Sequence, residues 1–118
     1  MEITINHKKI QLKFGIRFLR ELDKIDGVEV QGQSLGFAIQ VALPKLENFD
    51  PVTLSDALYA ASYEASPRPS RADVDDYVDS CDDLESLFVE IRREIETSNS
   101  IKLTAKKLQE ISAKNQEA

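Results

Sequence analysis

The sequence has very few of the side chains on which covalent catalysis and soft-metal binding depend. Among its 118 residues are one cysteine, one histidine and no tryptophan. A single thiol forms no internal disulfide and builds no cysteine-based metal site. Any relay of the Ser-His-Asp or Cys-His type would have to use His7, which lies in a predicted turn. These absences indicate a protein that is not an enzyme and has no metal or other cofactor.

Long apolar runs are also absent, and the charge has the wrong sign for binding nucleic acid. A membrane-spanning helix needs about 20 uncharged apolar residues, and no run of that length occurs. The first residues lack the basic, apolar and small-residue order of a secretory signal, so we expect a cytoplasmic protein. The net charge is −6, which argues against general affinity for phosphates.

The charge is distributed unevenly along the chain. Residues 1–20 hold five basic side chains and one acidic one, whereas residues 70–97 hold ten acidic and three basic side chains. The segment 98–118 is again basic, with four lysines and two glutamates. Opposite charges of this kind favour a head-to-tail homo-oligomer. The plainer alternative is an acidic helix face that only keeps the protein in solution.

Alternating apolar residues predict a β-hairpin at the start of the chain. Residues 2–6 and 9–13 each alternate apolar and polar side chains, which is the period of a half-buried strand. The turn candidate between them is Asn6-His7-Lys8. A lone hairpin is marginally stable in water, so its apolar side must rest on the helices that follow.

The rest of the chain carries helical periodicity and helix caps. Asp50-Pro51 predicts one helix start, Ser70 to Asp73 has the form of a capping box, and Asp82-Asp83 recaps the chain. Pro44 is expected to stop or kink the uncharged helix before it. The predicted fold is mainly α, with an N-terminal hairpin packed on about five or six helices, or α+β by strict count. Residues 1–98 form one domain, and residues 99–118 form an amphipathic segment, mobile or ordered by a partner.

Two segments are candidates for binding another polypeptide. Residues 35–43 are uncharged and apolar nearly all round, which is typical of a central core helix or of a helix covered by another chain. The C-terminal segment has a thin apolar stripe that suits either docking on its own domain or ordering on a partner. The candidate partner-binding residues are Leu35, Phe37, Ile39, Val41, Leu43, Ile101, Leu108 and Ile111.

Adjacent carboxylates raise one enzymatic alternative. Asp75-Asp76 and Asp82-Asp83 are oxygen ligands of the kind that calcium and magnesium prefer. The spacing lacks the glycine of a calcium-binding loop, and the intervening apolar residues indicate helix. A small metal-dependent enzyme is therefore a weaker hypothesis than a binding protein.

Several short segments occur in a characteristic order along nearly the whole chain. They are MEITIN at 1–6, LKFG at 12–15, FLRELD at 18–23, ALPKL at 42–46, DP at 50–51, LYAA at 58–61, PS at 69–70, VDDY at 74–77 and LESLF at 84–88. No single segment is specific, but in this order they resemble the tail assembly chaperones of long-tailed bacteriophages and of prophages of Gram-positive bacteria.

The resemblance implies a protein that binds the tape measure protein, the long helical polypeptide that sets tail length, and keeps it soluble. It also implies that the protein helps to recruit tail tube subunits, associates with itself, works in the bacterial cytoplasm and is absent from the finished virion. The resemblance supplies no catalytic residues to transfer. The alternative within the same setting is a structural tail or head-tail connector subunit that stays in the virion.

Overall fold

The computed structural model describes residues 1–26, 29–30, 33–34 and 38–117. Within them lie two short strand pairs and six helices, so the predicted α-rich fold with an N-terminal hairpin is confirmed. The elements are β1 (Glu2–Ile5), β2 (Lys8–Gln11), α1 (Ile16–Asp26), β3 (Glu29–Val30), β4 (Gln33–Ser34), α2 (Ala38–Glu47), α3 (Pro51–Ala61), α4 (Arg71–Asp79), α5 (Leu84–Thr97) and α6 (Lys102–Glu117).

The predicted hairpin forms with a two-residue turn. Strands β1 and β2 are antiparallel, with Ile3 opposite Ile10. Asn6 and His7 both have positive φ, 52° and 66°, as the commonest tight hairpin turn requires at its two central residues. Asparagine and histidine enter this region more readily than most residues. The apolar side of the hairpin is buried in the core, which supplies the support that an isolated hairpin lacks.

Helix α3 is the central helix of the domain. Apart from the partly buried Tyr59, residues 53–61 are buried on all sides. Small side chains at Ala57, Ala60 and Ala61 let neighbouring elements approach closely, and α3 contacts α1, α2 and α4. The helix begins as predicted, with the Asp50 carboxylate accepting the Val52 N–H. Its start is therefore fixed at the protein surface, while its body forms the core.

Helix α2 continues through Pro44, so of the two outcomes predicted from the sequence, a stop or a kink, the stop is wrong and the kink stays a prediction. It runs from Ala38 to Glu47 with Pro44 inside. A helical proline leaves the carbonyl four residues earlier without its usual donor, and here that residue is Gln40. Both Gln40 and Pro44 are exposed, so water can reach this side of the helix. The cost of the proline is lower there than in the core.

Helix α6 packs on the rest of the domain through its first turns. Ile101 and Ala105 are buried in the common core, and α6 contacts α2 and α5. At the α5–α6 junction, the Ser98 hydroxyl donates to the carbonyl of Phe14, which follows the hairpin. Residues 97–100 are polar and lie at the junction between the two helices, but Ile101, just beyond them, belongs to the core. The division of the chain at residue 98 stays a prediction.

Candidate partner-binding site

The turn between α2 and α3 holds an aromatic residue in an unusual conformation. Phe49 has a φ of 59°, in the left-handed region that glycine usually occupies at a helix end. The Phe49 N–H donates to the Leu46 carbonyl at 3.1 Å, and the Asp50 N–H donates to the Lys45 carbonyl at 3.0 Å. This pair of bonds is the Schellman pattern, built here on a residue that pays a steric cost for it. The turn therefore holds Phe49 in one direction.

The Phe49 side chain forms one wall of a groove beside the start of α5. Its ring lies edge-on to Phe88, with centroids 5.3 Å apart and planes at 86°. Phe88 is buried, whereas Phe49 remains 46% exposed. The groove has a volume of about 370 Å³, and its lining is mostly apolar. Its lining residues are Phe49, Pro51, Leu84, Glu85 and Phe88.

Two further grooves adjoin the first, and together we call the three the furrow. One, of about 320 Å³, meets the first at Pro51 and runs between α3 and α4. The other, of about 420 Å³, meets it at Glu85 and follows α5. The α3–α4 groove is lined by Pro51, Val52, Ser55, Asp56, Arg71, Asp75, Val78 and Asp79, and the α5 groove by Glu85, Ser86, Val89, Glu90 and Arg93.

Both exposed apolar side chains and exposed carboxylates line the furrow. Val52 is 68% exposed and Val89 is 40% exposed, in addition to Phe49. Single exposed apolar residues are normal on protein surfaces, but several lining one depression indicate a binding surface. Asp75, Asp79, Glu85 and Glu90 are exposed along it, and they outnumber Arg71 and Arg93, the two arginines that also line it. The furrow therefore suits a partner that offers apolar side chains flanked by basic ones.

Two partly buried polar contacts, each with its buried partner on α3, hold the α3–α4 wall in place. Asp56 of α3 is 5% exposed, and it accepts a hydrogen bond from the guanidinium of Arg71 at the start of α4. The Ser55 hydroxyl donates to the Asp75 carboxylate one turn further along α4. Buried polar groups of this kind are costly unless paired, so the two contacts fix how α4 lies on α3.

The predicted candidate residues fall into three groups. Ile39, Leu43 and Ile101 are buried in the core, and Leu108 is partly buried against it. Val41 and Ile111 are exposed, on α2 and α6 respectively. Leu35 and Phe37 lie outside the described residues. None of the six described side chains lines the furrow, and the role of all eight residues in partner binding stays a prediction.

Two exposed residues of the furrow, Val52 and Phe49, do not follow the regular apolar stripes of the helices, so the sequence pattern does not single them out. Val52 lies two residues before Leu54, which places it off the inner stripe of α3. Phe49 lies in a turn outside the helices, so no helical periodicity of apolar residues points to it. An apolar residue out of phase with its helix, or beside a helix cap, is the signal that could have identified both.

Two of the acidic residues, Asp73 and Asp83, take part in helix capping. Backbone and hydroxyl hydrogen bonds from Ser70 lower the pKa of the Asp73 carboxyl, completing the predicted capping box. The Ser86 hydroxyl and N–H donate to Asp83 at 2.7 and 3.2 Å and lower the pKa of that carboxyl. In the part of the chain that the structure describes, no three side chains of His, Cys, Asp or Glu are grouped to hold a metal ion.

Comparisons with known proteins identify one family. Residues 2–110 match the family model described as phage tail assembly chaperone protein, TAC. Comparison with curated proteins and with solved structures finds no significant match. Among the described helices, none has the length and apolar character needed to cross a membrane.

Proposed function

This chain belongs to the phage tail assembly chaperone family, and from that premise we propose that it binds the tape measure protein and keeps it soluble until the tail tube is built around it. Binding is non-covalent and non-catalytic, and it takes place in the bacterial cytoplasm. The proposal includes recruitment of tail tube subunits and release of the chaperone before the virion is complete.

The observation that carries the proposal is the furrow across α4, α3 and α5. A long helical client exposes apolar stripes until its partners arrive, and an amphipathic helix binds by laying such a stripe in an apolar groove. Phe49 and Val52 offer exposed apolar surface for that contact. The fixed Schellman turn presents Phe49 without further ordering cost on binding.

The size of the contact fits a reversible chaperone. Full burial of one valine, leucine or phenylalanine side chain contributes roughly 1.5–3 kcal/mol, while association itself costs about 4–15 kcal/mol in lost freedom. Burial of a few furrow side chains therefore gives weak binding by one copy. Several copies along one client would keep it covered and still allow tail tube subunits to displace them.

Co-expression with the tape measure protein tests the proposal. Val52→Asp places a charge in the furrow, at a helix start where aspartate suits the helix. Ile16→Asp is the matched control, because Ile16 is also exposed, at 58%, and begins α1 outside the furrow. We expect the wild type and Ile16→Asp to keep the client in the supernatant and Val52→Asp to lose most of it.

If all three proteins keep the client equally soluble, the furrow is not the client-binding site. If the wild type does not keep the client soluble, the proposed function is wrong. Mass spectrometry of purified particles separates a chaperone from a structural connector subunit. The chaperone is expected to be absent from finished virions, whereas a connector would be present in fixed proportion to the tail proteins.

A further inference from the structure

The C-terminal helix α6 presents two different faces. Its inner face, with Ile101 and Ala105, is buried in the core. On the side opposite to these two residues, Leu103 is 66% exposed, and Lys106 and Lys107 are exposed beside it. A single turn of helix there combines an apolar side chain with basic ones.

This outer face of α6 is the complement of the furrow. The furrow has exposed apolar side chains flanked by carboxylates such as Asp79 and Glu90, and α6 has an exposed leucine flanked by lysines. Since the inner face of α6 docks on α2 and α5 of its own chain, the outer face is turned away from that core. It is therefore available to a second molecule.

We propose that the outer face of α6 from one copy docks in the furrow of a second copy. The inference rests on the proposed function, because it makes the client site also the site of self-association. Chaperone molecules without a bound client would cover one another's exposed apolar side chains. The client would then compete with α6 for the furrow. Binding of either occupant then weakens the apparent affinity of the other by mass action.

The basic N-terminal region is a weaker source of this contact than α6. Lys13 is already paired with Glu64, at 2.7 Å from its carboxylate, and the Arg17 guanidinium lies 4.4 Å from the ring centre of Tyr63. These side chains are engaged within their own chain. In α6, Lys107 is also paired, with Glu110 at 3.7 Å, but Lys106 stands beside the exposed Leu103 and so adds a positive charge to an apolar surface that a partner can cover.

The geometry of the contact sets the kind of assembly. The two surfaces are different patches of one chain, so the interface is heterologous and leaves a free furrow on one end molecule and a free α6 face on the other. Such contacts produce an open chain of copies, or a ring where the rotation closes. The assembly grows with protein concentration and shrinks with salt, because exposed charges are screened.

Sedimentation of the full chain with two charge reversals tests the proposal. Lys106→Glu and Glu90→Lys both lie within helices, where either residue is a good helix former. Each is expected to weaken self-association about fivefold, because an attraction between exposed charges becomes a repulsion. Lys8→Glu, an exposed change at the start of β2, is expected to leave self-association unchanged.

Mixing the two variants gives the decisive result. The furrow of the Glu90→Lys chain meets the α6 face of the Lys106→Glu chain with opposite charges, so the mixture should associate more tightly than either variant alone. A monomeric wild type, or a mixture no tighter than its components, would overturn the proposal. Client solubility distinguishes the two hypotheses. A wild type that is monomeric and still protects the client would overturn the self-association and leave the proposed function standing.

Discussion

Phe49 and Phe88 meet edge to face across the junction of two helices, with ring centroids 5.3 Å apart. One ring belongs to a turn at the surface, and the other is buried in the core. The contact couples the α2–α3 turn to the start of α5. Both residues line the central groove of the furrow, and Phe49 stays 46% exposed there.

Two replacements of Phe49 distinguish the contribution of its side chain to stability from that of its backbone conformation. Phe49→Ala and Phe49→Gly both lose the contact with Phe88, but only glycine adopts the left-handed conformation without a steric cost. We therefore expect the glycine variant to be the more stable of the two by about 1 kcal/mol. Urea unfolding of both purified variants measures the difference. An alanine variant as stable as the glycine variant would mean that the turn rearranges.

Two substitutions, one just before α6 and one in its first turn, test how far the last helix belongs to the domain. Ile101→Ala removes a side chain that is 1% exposed, and should lower the free energy of unfolding by about 2–4 kcal/mol. Leu103→Ala, two residues later and exposed, should change it by less than about 0.5 kcal/mol. Denaturant unfolding checks both values. A small effect of Ile101→Ala would instead favour a domain that ends near residue 98.

The hairpin, the helix count and most helix starts could be predicted because they depend on local chemistry. Alternating isoleucines identify β1 and β2, and Asp50, Ser70 and Asp83 cap the helices that follow them. The continuation of α2 through Pro44 could not be predicted, because it depends on which side of the helix faces solvent. Strands β3 and β4 have two residues each, which is too short for an alternation of apolar and polar residues to be recognised in the sequence.

The furrow could not be predicted for a different reason. Phe49 and Phe88 are far apart in sequence, and nothing in either segment indicates that the other lies beside it. The sequence did identify exposed carboxylates and helical stripes, but the exposed apolar residues of the site are the ones that depart from those stripes. Tertiary packing alone brings Phe49 and Leu84 to one groove.

Acid should weaken the domain through two capping carboxylates. The pKa values of Asp73 and Asp83 are lowered by hydrogen bonds from Ser70 and from Ser86. The ordinary pKa of an aspartate is 3.8, and the stabilising contribution of both carboxylates is fully present at pH values above it. This contribution is lost as the pH falls below 3.8 and through the lower pKa of the folded state.

The double variant Asp73→Asn, Asp83→Asn isolates this contribution. Asparagine still accepts the capping hydrogen bonds but does not titrate in this range. We expect thermal unfolding of the variant to depend less steeply on pH below 3.8 than that of the wild type. Identical pH profiles would assign the acid sensitivity to other carboxylates.

The central claim is that the client lies in the furrow, and hydrogen exchange on the purified complex with the tape measure protein measures it most directly. Peptides that cover residues 49–56 and 84–93 should exchange more slowly in the complex than in the free chaperone, while peptides from the hairpin, residues 2–11, should be unchanged. Slower exchange confined to the hairpin or to α1, with no change at the starts of α3 and α5, would contradict the account.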